Sequence, residues 1–369
     1  MATDRSCHVG EAAGYWERAS MRWQLHQTSR CGELRRYVDL RPDCVSRGKG
    51  KLRDCVELHR EALDSLSNAS VLMLGDSTSA QLADHACDTL GQPTRSFVAV
   101  PKNVPNRSKY SHRLRSLDNH YCRLLGHGRG HGLPLGTFSH YGVDGPPYWA
   151  YAYPLAPWLG NTSIQQVREN LPPFRDLIRG QDPTIIVAGS GFWDIASWWA
   201  NEGHFHSAFQ WNATHARRYV QGVRRFVGAI RRTFPSSRLL WRTLHPGYKH
   251  SITPSGAHAL NEALRAHAKD WGLRFLDVGS MMQQLPPKLP FLPTRAPVYG
   301  TLDGRHLHSW LNIELLNLIL NAAGEAQSHR VVAPADLSVA ALPTGVGRAA
   351  PRLKAEKRRS GLNASRHHG

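Results

Sequence analysis

Short apolar runs closing on glycine alternate in the middle of this chain with longer stretches whose apolar residues recur every three or four positions. VLMLG (71–75) has the first pattern and predicts a buried strand. RSFVAV (95–100), PTIIVAG (183–189), RLLWRTL (238–244) and LRFLDVG (273–279) predict four more strands. The second pattern predicts helices. One starts at Ser77 and runs to Leu90, where Gly91 and Pro93 stop it. Another is capped by Asn212 and runs to Phe234, with Val220, Val223, Phe226, Val227 and Ile230 on its apolar stripe. Its arginine pairs (217/218, 224/225, 231/232) face mainly solvent. Ser255 to Trp271 and Trp310 to Ala323 complete the set.

Strand and helix in alternation imply an α/β fold, a parallel sheet covered by helices on both faces. Ligand sites in such sheets lie at the carboxyl ends of the strands. Three regions follow: a Cys- and Trp-containing N-terminal region over 1–66, an α/β domain over 67–325, and a basic tail over 326–369 rich in Ala, Pro, Gly and Arg, read as flexible.

Composition narrows the class. Hydrophobic residues make up 41% of the 369, enough for a packed core. No apolar run reaches the ~18 residues of a membrane-spanning helix. The opening MATDRSCHVGEAAGYW has no apolar segment of a signal peptide. That leaves a cytosolic protein, or one whose leader or anchor is missing from this chain. The cysteines argue for the secretory pathway. Cys7, Cys31, Cys44, Cys55, Cys87 and Cys122 are even in number, fall in the first third and lack C-x-x-C spacing. A disulfide framework of undetermined pairing is the better reading, with buried thiols as the alternative. N-x-S/T sequons at Asn68, Asn106, Asn161, Asn212 and Asn363 point the same way, to a glycosylated protein of the Golgi lumen or the exterior.

Lys and Arg number 46 against 28 Asp and Glu, a net charge of +18. Such a surface attracts polyanions. No zinc-finger spacing, RNP-type aromatic signature or basic zipper accompanies it, so nucleic acid is not the expected partner; an acidic polysaccharide or anionic lipid head groups fit, and a basic but ordinary surface is the alternative. His127 with His131 and His204 with His206 have spacings that occur in zinc sites, but no acidic or Cys partner is near; no metal is expected.

Three motifs fall at predicted strand ends. In Gly75-Asp76-Ser77-Thr78 a strand turns into a helix at Ser77. Converging N–H groups and the helix dipole there favour an alkoxide or oxyanion. A serine in that place also serves simply as a helix cap. Asp303-Gly304-Arg305-His306 precedes the last helix and supplies a general base with a carboxylate to orient it. Gly189-Ser190-Gly191-Phe192-Trp193-Asp194 is a Gly-rich turn where backbone N–H groups can approach an oxyanion. An ordinary strand-ending turn is the alternative.

Together these motifs resemble the SGNH/GDSL hydrolase superfamily, and within it the PC-esterase branch that includes the plant trichome-birefringence-like polysaccharide O-acetyltransferases. VLMLGDST is similar to that branch's G-D-S block, LLWRTLHP to a strand where R-T precedes Ser-Pro, and FLDVGSMM and DGRHLHSW to its closing blocks. The Gly14-Tyr15-Trp16 and Cys31 to Cys44 region looks like its N-terminal Cys-rich segment. The resemblance implies an SGNH-type, flavodoxin-like three-layer sandwich. It implies Ser77 as nucleophile, His306 as base, Asp303 as its orienting carboxylate, and a sugar hydroxyl as acyl acceptor. No cofactor is implied beyond an acyl donor such as an acetyl carrier, with a membrane-bound donor partner as one source.

The chain departs from the branch in two places. Gly189 and Ser190 stand where the family places an oxyanion-donating Asn, which leaves Gly189, Ser190 and Gly191 as the candidate donors. His306-Leu307-His308 replaces His-Trp, so His308 competes for the base role. The family's second-block glycine corresponds to Gly136 or Gly142. Asp76, Trp193, Asp194 and Arg242 are the candidate substrate contacts. Trp198, Trp199 and Trp211 suit either sugar stacking or the core. The expected activity is carbohydrate O-acetyl transfer or acetyl ester hydrolysis. The alternatives are a lipid or small-ester hydrolase, and an inactive domain that binds acidic polysaccharide.

Overall fold

A computed structural model describes residues 8–17, 22–26, 31–41, 52–89, 95–98, 119–124, 132–144, 162–201, 211–247, 253–285 and 305–332. The strands are β1 (Gly14–Glu17), β2 (Arg22–Leu25), β3 (Val38–Leu40), β4 (Val56–Leu58), β5 (Val71–Gly75), β6 (Arg95–Val98), β7 (Asn119–Leu124), β8 (Leu133–Ser139), β9 (Ile185–Ala188), β10 (Arg238–Arg242) and β11 (Arg274–Leu276). The helices are α1 (Arg60–Asp64), α2 (Ser77–Thr89), α3 (Ser163–Asn170), α4 (Phe174–Leu177), α5 (Phe192–Asn201), α6 (Ala213–Thr233), α7 (Pro254–Ala268), α8 (Val278–Gln283) and α9 (Ser309–Val332).

Seven strands form the central sheet in the order β11-β10-β9-β5-β8-β7-β6. Five of them, β8 through β11 by way of β5, run parallel. In chain order those five lie as 2-1-3-4-5, the flavodoxin-like arrangement. The sheet is not parallel throughout as expected: β7 and β6 add an antiparallel edge. The sheet departs from the sequence expectation at β8. Pro134 and Gly136 break the apolar run that would have marked this strand, yet it pairs on both sides. Gly136 is required there because a Cβ would strike the Phe174 ring.

The period of two along each strand divides the core into two layers. Val71, Met73, Ile185, Val187 and Leu240 face one cluster, shared with α2 and α9. Leu72, Leu74, Ile186, Ala188 and Trp241 face the other, shared with α3 to α7. The result is a three-layer α/β sandwich, buried on both sheet faces, as its near-continuous apolar strands require.

The described part of the N-terminal region belongs to the same body. Trp16 stacks edge-on against Trp23 and Trp310 and donates its indole N–H to the Met281 carbonyl at 2.8 Å. Asn317 on α9 accepts from the N–H groups of Tyr37 and Val38 at 3.0 and 3.1 Å. Helix α9 runs to Val332, past the expected end at Ala323. Cys87 on α2 is bridged to Cys122 on β7, and Cys31 and Cys55 are also in disulfides. Cys7, Cys44, the two histidine pairs, and the sequons at Asn106, Asn161 and Asn363 lie outside the described residues. Among the described residues no helix is long and apolar enough to cross a membrane.

Candidate active site

The chain crosses from β8 back over β5 to β9, so the sheet's switch point lies between β5 and β9. A crevice outside the carboxyl ends of those strands is the expected ligand position. Ser77 follows β5, and the turn 189–191 follows β9.

Ser77 is not the cap of its helix. Asp76 takes that role: its Oδ1 accepts from the Thr78 N–H at 2.9 Å, and its carbonyl accepts from Ser79 and Ala80 at 3.0 and 3.1 Å. The Ser77 hydroxyl is thereby left for another partner, and its Oγ lies 2.9 Å from Nε2 of His306. The turn is tight enough that a Cβ on Gly75 would collide with the Ser79 side chain. Asp303, the expected orienting carboxylate, lies outside the described residues. His308 is half-buried, with its inaccessible Nε2 unpaired among the described residues, and burial lowers its pKa. Among the described residues the Ser77 hydroxyl bonds to His306 and not to His308.

Beneath the serine lies a buried ion pair. Asp76 and Arg242 approach to 3.9 Å, and the Arg242 guanidinium also donates to the Thr78 hydroxyl. Burial pushes the Asp76 carboxyl up, but Arg242 and the hydrogen bonds from Thr78 outweigh it and hold the group below its ordinary range. Asp76, Arg242 and Asp194 are only 4, 6 and 2% exposed, so the substrate-facing role expected for them does not fit their burial. Their neighbours account for it, because each buried charge faces a protein donor or a charged partner. Asp194 Oδ1 accepts from the N–H groups of Val143 and Asp144 at 2.8 and 2.9 Å, and Oδ2 from the Ser190 hydroxyl at 2.8 Å. Burial still raises its pKa.

The expected oxyanion donors fare unequally. The Gly189 N–H donates to the Leu74 carbonyl at 2.8 Å, and the Ser190 hydroxyl is committed to Asp194. Neither group is available to an oxyanion in this arrangement. The N–H groups of Ser190 and Gly191 have no such commitment among the described residues. Of the two second-block candidates, Gly136 lies mid-strand and Gly142 just beyond the end of β8. Gly142 has φ +96° and meets Asp194 Oδ1 where a Cβ would sit, at 3.0 Å. That conformation favours glycine.

Trp193 is half-buried, edge-on to Tyr141 at 5.4 Å and under the Arg305 guanidinium at 5.4 Å. It therefore joins the third motif to the His306 segment. Trp198 is core: it is buried and donates to Asp144 at 2.8 Å. Trp199 and Trp211 pack against the same cluster.

Two histidines escaped the sequence reading. His140 follows β8; its N–H donates to the Gly75 carbonyl at 2.7 Å and its Nε2 to the Gly189 carbonyl at 3.1 Å. It ties three strand ends together. His245 follows β10, and its Nε2 lies 2.6 Å from the Arg305 carbonyl. Burial holds both rings at a pKa of about 4, hence neutral near pH 7. Their positions at carboxyl ends of parallel strands were the available signal. A separate cleft of about 420 Å³, lined by Asn68, Ser70, Arg123, Pro134 and Arg179 among others, lies at the amino ends of β5 and β8, opposite Ser77.

Comparison with known proteins gives structural likenesses only. A lipase/acylhydrolase from Enterococcus faecalis is 14% identical with a TM-score of 0.34, covering 69% of this chain and 95% of its own. A carbohydrate acetylesterase from Sinorhizobium meliloti is 14% identical with a TM-score of 0.34, covering 71% and 98%. An acetylxylan esterase from Geobacillus stearothermophilus is 13% identical with a TM-score of 0.34, covering 69% and 94%. No family model and no curated protein sequence matches the chain.

Proposed function

We propose that this protein is a serine-dependent acyl-transfer enzyme. The observation that carries the reading is the Ser77 Oγ to His306 Nε2 approach of 2.9 Å, at a switch-point helix whose cap is supplied by Asp76. His306 removes the Ser77 proton as Oγ attacks an acyl carbonyl. Main-chain N–H groups of Ser77 and of the 190–191 turn hold the oxyanion. The collapsing intermediate expels the leaving alcohol, which takes the proton from His306. Water or an acceptor hydroxyl then attacks acyl-Ser77, giving its proton to His306, and Ser77 is regenerated. Asp303 orients the imidazole. The resemblance to polysaccharide O-acetyltransferases favours acetyl as the acyl group and a sugar hydroxyl as its partner.

A fluorophosphonate probe tests the reading. It is expected to label Ser77, with Ser77→Ala abolishing the label. Label that persists in that variant overturns it. Incubation with acetyl donors, followed by mass spectrometry of the Ser77 peptide, separates acetyl chemistry from longer-chain esters.

A second reading rests on helix α6. It carries six arginines and no acidic residue, and Arg224, Arg225 and Arg232 are exposed without an acidic partner among the described residues. Such a face suits an acidic polysaccharide, as substrate or as anchor. Retention on heparin that weakens in the combined R224Q, R225Q and R232Q variant supports this. Unchanged retention removes it. The paired cysteines and exposed Asn68 favour a lumenal site of action. The test is a glycosidase-sensitive mass on protein from its native source.

A further inference from the structure

His306 stands on a segment, residues 305–308, with no helix or strand of its own. A general base needs its imidazole held within a fraction of an ångström of the nucleophile, so something else must fix that backbone. Besides the Arg305 guanidinium over Trp193, two contacts do so from below. Leu307 is buried in the α9 side of the core. His245 holds the carbonyl of Arg305, one residue before the base, at 2.6 Å.

The anchor itself is rigid. Thr243 donates its N–H to the Leu276 carbonyl at 3.0 Å. Leu244 is clasped on both sides by Asn261, its N–H donating to Oδ1 at 2.9 Å and its carbonyl accepting from Nδ2 at 2.8 Å. The His245 ring is 1% exposed and stands edge-on to Phe192, 5.0 Å away, at the head of α5. A carbonyl only accepts, so Nε2 carries the hydrogen, and the neutral ring leaves Nδ1 bare. The ring thus spans from the end of β10 to the base-bearing segment with a single directed donor.

We infer that His245 is a positioning residue for His306: through the Arg305 carbonyl it fixes the approach of the imidazole to Ser77. This rests on the reading of Ser77 and His306 as nucleophile and base. Losing the donor relaxes the 305–306 backbone. The transition state then loses alignment while ground-state binding is retained.

The test uses the full chain and three variants. His245→Phe keeps the ring and its Phe192 contact but removes the donor. His245→Gln restores an N–H near the position of Nε2. Ser77→Ala is the blank. The readouts are fluorophosphonate labelling rate, kcat and KM on p-nitrophenyl acetate, and Tm. We expect His245→Phe to lower kcat and labelling rate about 10- to 100-fold with KM little changed. We expect His245→Gln to recover most of that loss. A His245→Phe protein that labels as fast as wild type overturns the inference. So does a loss in which His245→Gln shows no rescue and both variants fall in step with Tm. Absence of label on the wild-type protein overturns the nucleophile reading instead.

Discussion

Ser77 Oγ and His306 Nε2 meet at 2.9 Å across 229 residues of sequence. The meeting is possible because Asp76, not Ser77, satisfies the orphan N–H groups of helix α2. His306→Ala is therefore expected to cost about 10⁴-fold or more in kcat. His308→Ala, at a ring with no hydrogen bond to the serine among the described residues, is expected to cost less than about tenfold. Steady-state esterase assays on both variants check this. A larger loss at His308 would transfer the base role to it.

Much of this site was legible because its chemistry sits at pattern boundaries. The runs at 71–75 and 183–189 are almost wholly apolar because helices cover both faces of the sheet, and each ends where a motif begins. Strand β8 was hidden because Pro134 and Gly136 dilute its run, although Gly136 is there only to admit Phe174. His140 and His245 were hidden for another reason. A neutral, buried histidine hydrogen-bonded to a backbone carbonyl leaves no mark on local pattern, since its partners, Gly189 and Arg305, are distant in sequence. For Asp194 and Arg242, charge near a motif suggests a ligand. Here the partners, Ser190 and Asp76, are internal.

The pair beneath the serine makes a stability prediction. Asp76→Asn leaves the buried Arg242 charge uncompensated and is expected to cost about 3–5 kcal/mol. Replacing Arg242 by Met in the same background removes that stranded charge, so the double variant should regain part of the loss. Urea unfolding of the single and double variants measures the coupling. Strictly additive losses would mean that the 3.9 Å approach contributes little.

Ser190 separates structure from catalysis. Its hydroxyl donates to the buried Asp194, and its carbonyl accepts from Tyr219 at 2.7 Å. Ser190→Ala should thus destabilise by about 1–3 kcal/mol, the cost of an acceptor left unsatisfied. The effect on kcat should stay under about tenfold. A loss of 10²-fold or more without destabilisation would instead make that hydroxyl an oxyanion donor. Thermal unfolding and esterase rates on the one variant decide between them.

Acid should weaken the fold through the same histidines that frame the site. His140 and His245 hold folded-state pKa values of about 4, against about 6.5 when unfolded. The shift is downward, so their contribution is fully present above pH ~6.5 and is lost as pH falls from there toward 4. In that window the unfolded chain binds protons that the folded one refuses. Each ring then removes up to about 1.4 kcal/mol of stability per pH unit. Buried carboxylates such as Asp76 add a loss of the same sign at lower pH, so the slope alone does not identify the groups. His245→Gln does, because an amide has nothing to titrate. Its stability, followed by urea unfolding at several pH values between 7 and 4.5, should fall about half as steeply as that of the wild type wherever the two histidines dominate. An unchanged slope would mean that His245 titrates alike in the folded and unfolded chains, so that burial does not hold its ring neutral.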